Sequence, residues 1–147
     1  MKLMIDTNVI LDVLLERSDF YANSKAVLDL CENKKILGFV SASSITDIFY
    51  LVRRALRDTD ETYKVIGALL NIISILNVTQ DDIQRAFLRH AKDFEDCLLA
   101  ECAKSNNCAG IVTRDKITLT LLIFLQKFRS FSLHSTHLTQ PAPSILQ

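Results

Sequence analysis

Glycine is scarce in this chain of 147 residues. The only three glycines, Gly38, Gly67 and Gly110, lie far apart. The dinucleotide-binding fingerprint and the P-loop both need several glycines within a few residues, so both phosphate-binding loops are excluded. The pattern G-x-S-x-G is also missing, which leaves a lipase-like serine nucleophile without support.

The chain also lacks an excess of charge of either sign. Its 17 basic and 17 acidic residues give a formal net charge of zero. A neutral protein has no overall field that attracts nucleic acid or an anionic membrane, so any affinity for a polyanion must come from a local group of basic residues. Apolar residues make up 49% of the chain, which is enough for the core of one domain over residues 1–147 and excludes disorder as a class.

Paired-cysteine motifs and long hydrophobic runs are absent as well. None of the four cysteines shows C-x-x-C spacing, and we therefore expect free thiols in a reducing, cytoplasmic compartment rather than zinc or disulfides. The longest apolar stretch, 65–78, is interrupted by polar residues and is too short to cross a bilayer. Because Asp6 falls so early, we expect no signal peptide and no membrane association.

Short apolar segments alternate with segments of helical periodicity. This alternation predicts an α/β fold with a parallel sheet and helices on both faces. Among the aromatic residues, we expect Phe49, Phe87 and Phe94 to belong to the core. The predicted strands are 2–6, 36–40, 74–78 and 109–113. Helices with definite bounds are predicted at 8–17, 23–35, 81–91 and 93–105. Two further helices are predicted between them: one is capped by Ser43 or Ser44 and ends near residue 57, and the other starts near residue 60.

Four aspartates occupy conspicuous positions. Asp6 and Asp115 each end a strand-like segment, and the carboxyl ends of parallel strands line the ligand crevice of open α/β sheets. Asp47 and Asp96 lie in the first turns of helices that are apolar nearly all round. Because an unpaired buried charge is costly, such a carboxylate needs a cleft, a partner or a cation.

Four carboxylates in one crevice repel one another unless a divalent cation neutralises them. Oxygen ligands without histidine or cysteine select Mg²⁺ or Mn²⁺ rather than zinc. Such a site suits phosphodiester hydrolysis, since a bound metal activates water and stabilises the leaving oxygen.

A purely structural interpretation of the same acids stays open. Asp6 can N-cap the first helix, Ser44 and Asp47 have the spacing of a capping box, and Asp93 and Asp96 fit the N-cap and N3 positions of another helix. Acidic residues near helix N-termini are also stabilised by the helix dipole.

Four segments resemble, in order and spacing, the PIN-domain family, and within it the VapC-type toxin ribonucleases. The resemblance covers 1–116, and the atypical tail 117–147 has no counterpart in it. No acidic residue follows Asp115, and the tail sequence keeps no recognisable trace of the acidic-aromatic stretch, final strand and polar helix with which the family commonly continues. The matching segments are MKLMIDTNVILDVLL, VSASSITDIFYLVRR, DFEDCLLAECA and IVTRDK.

The resemblance implies a Rossmann-like three-layer α/β/α sandwich with a short central parallel sheet. It also implies a Mg²⁺- or Mn²⁺-dependent endoribonuclease that forms a homodimer and is held inactive by a cognate antitoxin. The family's acidic positions fall on Asp6, Asp47, Asp96 and Asp115, as metal ligands and catalytic residues. Small polar residues that accompany the acids, with phosphate-orienting roles, are Thr7, Asn8 and Thr113.

Basic residues near these acids are candidates for RNA contacts: Arg53, Arg54, Arg114 and Lys116. Their structural alternative is that they form solvated ion pairs or stabilise helix C-termini. Two other functions remain open. A haloacid-dehalogenase-like phosphotransferase would need a second aspartate where this chain has Asn8. A catalytically inactive PIN-like module that binds RNA or protein would be the consequence of the diverged C-terminus.

Overall fold

The computed structural model describes residues 1–114, so Asp115, Lys116 and the tail 117–147 lie outside the described residues. Within it, four parallel strands form one sheet, and each lies within two residues of its predicted position. The strands are β1 Lys2–Ile5, β2 Leu37–Ser41, β3 Ser74–Leu76 and β4 Gly110–Val112.

The helices also match the predicted pattern, with two corrections at their N-termini. The second helix begins at Ser18 instead of Asn23, since Arg17 at its N-cap makes no side-chain cap that the sequence could reveal. The third is capped by Ser41, so the prediction of Ser43 or Ser44 is wrong. The helices are α1 Thr7–Leu14, α2 Ser18–Glu32, α3 Ala42–Leu56, α4 Thr59–Ile72, α5 Gln80–Leu88 and α6 Phe94–Ser105.

The helices cover both faces of the sheet, and the fold is the predicted three-layer α/β/α sandwich. Alternate residues of β1 point to opposite faces. Leu3 and Ile5 pack in the larger core with α1 to α4, whereas Met4 packs with Leu99 of α6 in the smaller one. None of the helices in residues 1–114 is long and apolar enough to cross a membrane.

The aromatic predictions were only partly correct. Phe49 packs against the larger core. Phe87 and Phe94 are 65% and 45% exposed, so their assignment to the core is wrong. Both lie near an end of a helix, Phe87 in the last turn of α5 and Phe94 at the start of α6.

The strand order β3–β2–β1–β4 places β1 in the interior of the sheet, between β2 and β4. The chain leaves β1 towards β2 and β3 on one side and returns to β4 on the other. The carboxyl ends of β1 and β4 therefore flank the point where the connections change direction. Open α/β sheets bind ligands at this point.

Candidate active site

Asp6 lies at the carboxyl end of β1 and is held from both sides. Its backbone N–H donates to the carbonyl of Val112 at 3.0 Å, which joins it to the end of β4. Its side chain accepts from the backbone N–H of Asn8 at 3.2 Å and so caps α1. The predicted capping role is confirmed, and it fixes the half-buried carboxylate at the edge of the sheet where the crevice lies.

Asp47 lies in α3, the helix that follows β2, and β2 is the neighbour of β1 in the sheet. The α3 helix begins directly after β2, with the Ser41 hydroxyl accepting from the backbone N–H of Ser44 at 3.0 Å. Since Ser41 occupies the N-cap, Asp47 lies in the second turn and is not part of a capping box. Its side chain is exposed, because Ile48 and Val52 form the buried side of this part of the helix.

The third acidic segment is the N-terminus of α6. Asp93 is the N-cap, and its carboxylate accepts from the backbone N–H of Asp96 at 3.1 Å, as the structural interpretation predicted. Asp96 and Glu95 occupy the first turn of the helix. Because α6 runs back towards the start of β4, this turn lies near the carboxyl ends of the strands.

The three acidic segments meet around Glu95. Partial removal from water raises the pKa of the Glu95 carboxyl, and four nearby negative charges raise it further: Asp47, Asp6, Asp93 and Asp96. Carboxylates that follow β1 and lie in α3 and at the start of α6 are therefore close enough to act on Glu95. Sequence reasoning brought Asp6, Asp47 and Asp96 together but missed Glu95. The signal was present as three acids within residues 93–96.

These acids are suitable in kind for a hard divalent cation. They are exposed or half-buried carboxylates, and at Glu95 partial removal from water together with the neighbouring negative charges disfavours ionisation. In the described part of the chain no three histidine, cysteine or acidic side chains are close enough to hold a metal ion by themselves. Asp115, which was expected to be a further ligand, lies outside the described residues.

The acidic residues that are buried in the structure are not the ones that the sequence suggested. Asp47 and Asp96 are exposed. The fully buried Asp12 instead accepts from the Ser24 hydroxyl at 3.0 Å and lies 3.6 Å from Arg17. Buried acids in the other helical layer are paired similarly, Asp82 with Arg85 and Glu101 with Arg85 and Arg89. Because arginines of the chain already pair with them, these buried carboxylates need no cation.

The small polar residues have different environments. Thr7 is buried in the first turn of α1, Thr113 is half-buried after β4, and Asn8 is exposed. The Asn8 carbonyl oxygen accepts from Nη2 of Arg114 at 2.8 Å. The Arg114 guanidinium also lies over the ring of Phe20, 4.6 Å from its centroid, so this predicted RNA-binding side chain has protein partners.

The other predicted RNA-binding arginines, Arg53 and Arg54, lie in the last turn of α3, and both are exposed. They are at the end of α3 away from the acids, and they adjoin the start of α4. The remaining candidate, Lys116, is outside the described residues.

Comparisons with known proteins find the following similarities. The family model for the PIN domain matches residues 2–117. Ribonuclease VapC1 of Aquifex aeolicus is 29% identical over 121 residues, which cover 78% of this chain and 82% of that protein. The crystal structure of VapC20 of Mycobacterium tuberculosis, a sarcin–ricin-loop-cleaving toxin, covers 80% of this chain and 94% of its own, with a TM-score of 0.58 and 14% identity. At that identity the structural likeness shows the fold alone.

Proposed function

The chain belongs to the PIN-domain family, and from this premise we propose that it is a divalent-metal-dependent endoribonuclease, the toxin of a toxin–antitoxin pair. The observation that supports the proposal best is the meeting of acids from β1, α3 and α6 around Glu95. The relative named Ribonuclease VapC1 supports RNA as the substrate. The four cysteines are free thiols, which supports a reducing, cytoplasmic location.

The metal ligands in this proposal are the four aspartates that match the family pattern: Asp6, Asp47, Asp96 and Asp115. Their oxygen donors favour Mg²⁺ or Mn²⁺. Such an ion, held by these carboxylates, would lower the pKa of a water molecule, orient the phosphate and neutralise the leaving oxygen.

The protein's contribution is to hold these donors in place. Asp6 is held by its bonds to Asn8 and to the end of β4, and the Asp93 cap sets the first turn that contains Asp96. Fixed carboxylates need little reorganisation when the cation and phosphate arrive, and such preorganisation is a main source of catalysis. The neighbouring carboxylates also give the site a preference for positive charge.

Asn8, Thr7 and Thr113 are proposed to orient the phosphate or the acids. Arg114 donates to Oδ1 of Asn8, so the Nδ2 group of this exposed amide is the donor that remains for a phosphate oxygen. Thr7, the residue directly after Asp6, is buried in α1, and its proposed role is to help hold the Asp6 carboxylate in position. Arg53, Arg54, Arg114 and Lys116 remain the proposed RNA contacts, and the proposed protein partners are a cognate antitoxin and a second copy of this chain.

Cleavage of labelled RNA by the purified chain tests the proposal. We expect cleavage with Mg²⁺ or Mn²⁺, none in excess EDTA, and none by Asp6→Asn, which removes a ligand charge at constant shape. Glu32→Gln is the matched control, since it removes an exposed acid at the end of α2, near the opposite edge of the sheet. Equal cleavage by the wild type and Asp6→Asn, or in EDTA, would overturn the proposed mechanism.

The second candidate is a catalytically inactive PIN-like module that binds RNA or protein. It is favoured by one observation, that within residues 1–114 no three acids are spaced to hold a metal ion. RNA binding without cleavage under any metal condition would support this candidate and exclude the nuclease.

A further inference from the structure

A basic cavity lies at the corner where α3 meets α4. Its volume is about 280 Å³, and its lining consists of Tyr50, Arg53, Arg54, Arg57 and Thr59. The lining contains three guanidinium groups and no carboxylate. An open cavity of this composition attracts an anion, and guanidinium groups match the geometry of phosphate oxygens.

The three arginines are available to a ligand. Within the described residues no acidic side chain lies within 4.0 Å of them as an ion-pair partner. The nearest acid in sequence, Asp58, is engaged in the α4 cap, where its carboxylate accepts from the backbone N–H of Glu61 at 3.0 Å. The positive charge in the cavity is therefore not neutralised by an ion pair there.

The short connection between the helices holds this corner in shape. Only Arg57 and Asp58 separate α3 from α4. Arg57 adopts a left-handed conformation with φ of 56°, and its backbone N–H donates to the carbonyl of Arg53. Nε of Arg53 donates to the hydroxyl of Thr59 at 3.3 Å, which orients its guanidinium across the gap. The site is thus preorganised.

An aromatic ring stands beside the arginines. Tyr50 is 61% exposed, although tyrosine normally buries most of its ring. Sites for single-stranded nucleic acid combine a basic groove with exposed aromatic rings, because unpaired bases stack on such rings. The bases of a duplex are already stacked on one another and are closed to this contact.

One face of α3 joins this cavity to the acidic site. Asp47, Tyr50 and Arg54 follow the spacing i, i+3 and i+7, so they lie on the same side of the helix, and all three are exposed. Asp47 and Arg54 are about 10 Å apart along the axis at 1.5 Å per residue. That length corresponds to about three phosphates of a stacked strand.

We propose that the α3–α4 corner is a subsite for single-stranded RNA, with Arg54 and Arg57 on backbone phosphates and Tyr50 stacked on a base. The proposal rests on the proposed ribonuclease function and adds to it the conformation of the substrate and its path. The RNA strand leaves the acidic site along the exposed face of α3 and is held again about three nucleotides away.

Fluorescence anisotropy with a labelled single-stranded RNA 12-mer, in EDTA so that no cleavage occurs, tests this subsite. The variant is Arg54→Gln with Arg57→Asn, since asparagine tolerates the left-handed conformation at 57. We expect binding on the order of tenfold weaker at 0.1 M salt, and a slope of log K against log [salt] smaller in magnitude by about 1.4, the value for two lost phosphate contacts.

Two controls distinguish the subsite from general charge. Lys25→Gln with Lys35→Gln also removes two exposed positive charges, and we expect it to leave the affinity and the slope unchanged. Tyr50→Ala should weaken binding of the single strand on the order of tenfold, whereas Tyr50→Phe retains the ring and the affinity. Neither substitution at Tyr50 should change binding of a duplex of equal length. Thermal unfolding shows whether each variant is folded.

Weakening by the arginine and Tyr50→Ala variants together supports the subsite. If these variants bind RNA as tightly as the wild type, the subsite is overturned. The same holds if the lysine variant weakens binding as much as the arginine variant does. Either result leaves the ribonuclease proposal intact. Absence of RNA binding by the wild type in EDTA overturns the subsite alone, because the ribonuclease proposal requires the metal and is judged by cleavage. Cleavage with Mg²⁺, measured separately, therefore tells failure of the nuclease from failure of the subsite.

Discussion

Arg114 and Asn8 lie 106 positions apart in the sequence, yet Nη2 of Arg114 donates to Oδ1 of Asn8 at 2.8 Å. Nε of the same guanidinium lies 3.9 Å from the buried carboxylate of Asp12. Since Asn8 follows Asp6 closely and Arg114 directly precedes Asp115, these contacts connect two segments that contain predicted ligands. Arg114 thus joins the end of β4 to α1.

Removing this guanidinium should destabilise the fold. Arg114→Ala takes away a partner of a fully buried charge, and we expect a loss of about 1–3 kcal/mol in the free energy of unfolding. Asp12→Asn removes that buried charge. The loss in the free energy of unfolding for the double variant should therefore be smaller than the sum of the losses for the two single variants. Urea unfolding of the four proteins measures the coupling. Lys25→Ala, which breaks an exposed ion pair with Asp29, should change stability by less than about 0.5 kcal/mol.

The Arg114 contacts also show where sequence reasoning stops. The position of Asp6 was predictable, because an acid that ends a buried strand must lie at the carboxyl edge of a parallel sheet. Burial of Asp12 was not, since its partners Ser24, Arg17 and Arg114 are distant in sequence or lie on another element. Local pattern indicates which residues are polar but not which distant charge will neutralise them.

Gly38 and Gly67 should respond oppositely to alanine. A Cβ at Gly38 in β2 would lie 2.5 Å from Sγ of Cys31 and 3.0 Å from Ile73, whereas one at Gly67 in α4 would meet nothing within 4 Å. We expect Gly38→Ala to cost about 1–3 kcal/mol through overpacking and Gly67→Ala to stabilise by about 0.5–1 kcal/mol through helix propensity. Thermal or urea unfolding measures both.

The Gly38 effect has its own control. Cys31→Ala removes the sulfur that the new methyl group would strike, so the double variant should recover part of the loss caused by Gly38→Ala. If Gly38→Ala is as stable as the wild type, the close packing of β2 against α2 is contradicted.

Ionisation of Asp82 should make the free energy of unfolding depend on pH. Burial opposes ionisation of this carboxyl, but hydrogen bonds from Thr79 and Ser105 and the charge of Arg85 exceed it and lower the pKa. A folded pKa below the unfolded value of about 4 means that ionised Asp82 stabilises the fold above that pH. The stabilisation is lost as the pH falls through the folded pKa.

Urea unfolding of the wild type and Asp82→Asn at several pH values measures this linkage. The difference in free energy of unfolding should be largest near neutral pH and should shrink below about pH 4. A difference that stays constant from neutral pH to about pH 3 would contradict the assignment of an ionised Asp82.

Some features of the candidate site and its helices could be predicted from the local sequence, and others could not. The Asp93 cap was predictable, because an acid three residues before Asp96 at a helix start is a local signal. The cap of α3 was not, since Ser41, Ser43 and Ser44 are equivalent candidates in sequence, and only the end of β2 selects Ser41. The exposure of Phe87 and Phe94 depends on how α5 and α6 pack, which periodicity does not show.

Manganese binding tests the central claim, that carboxylates from separate segments form one cation site. Electron paramagnetic resonance of free Mn²⁺ during titration with the full chain measures binding without RNA or turnover. We predict that the wild type and Glu32→Gln bind Mn²⁺ alike and that Asp6→Asn and Asp96→Asn each lose most of the affinity. Equal Mn²⁺ binding by all four proteins, or binding by none, would contradict the account.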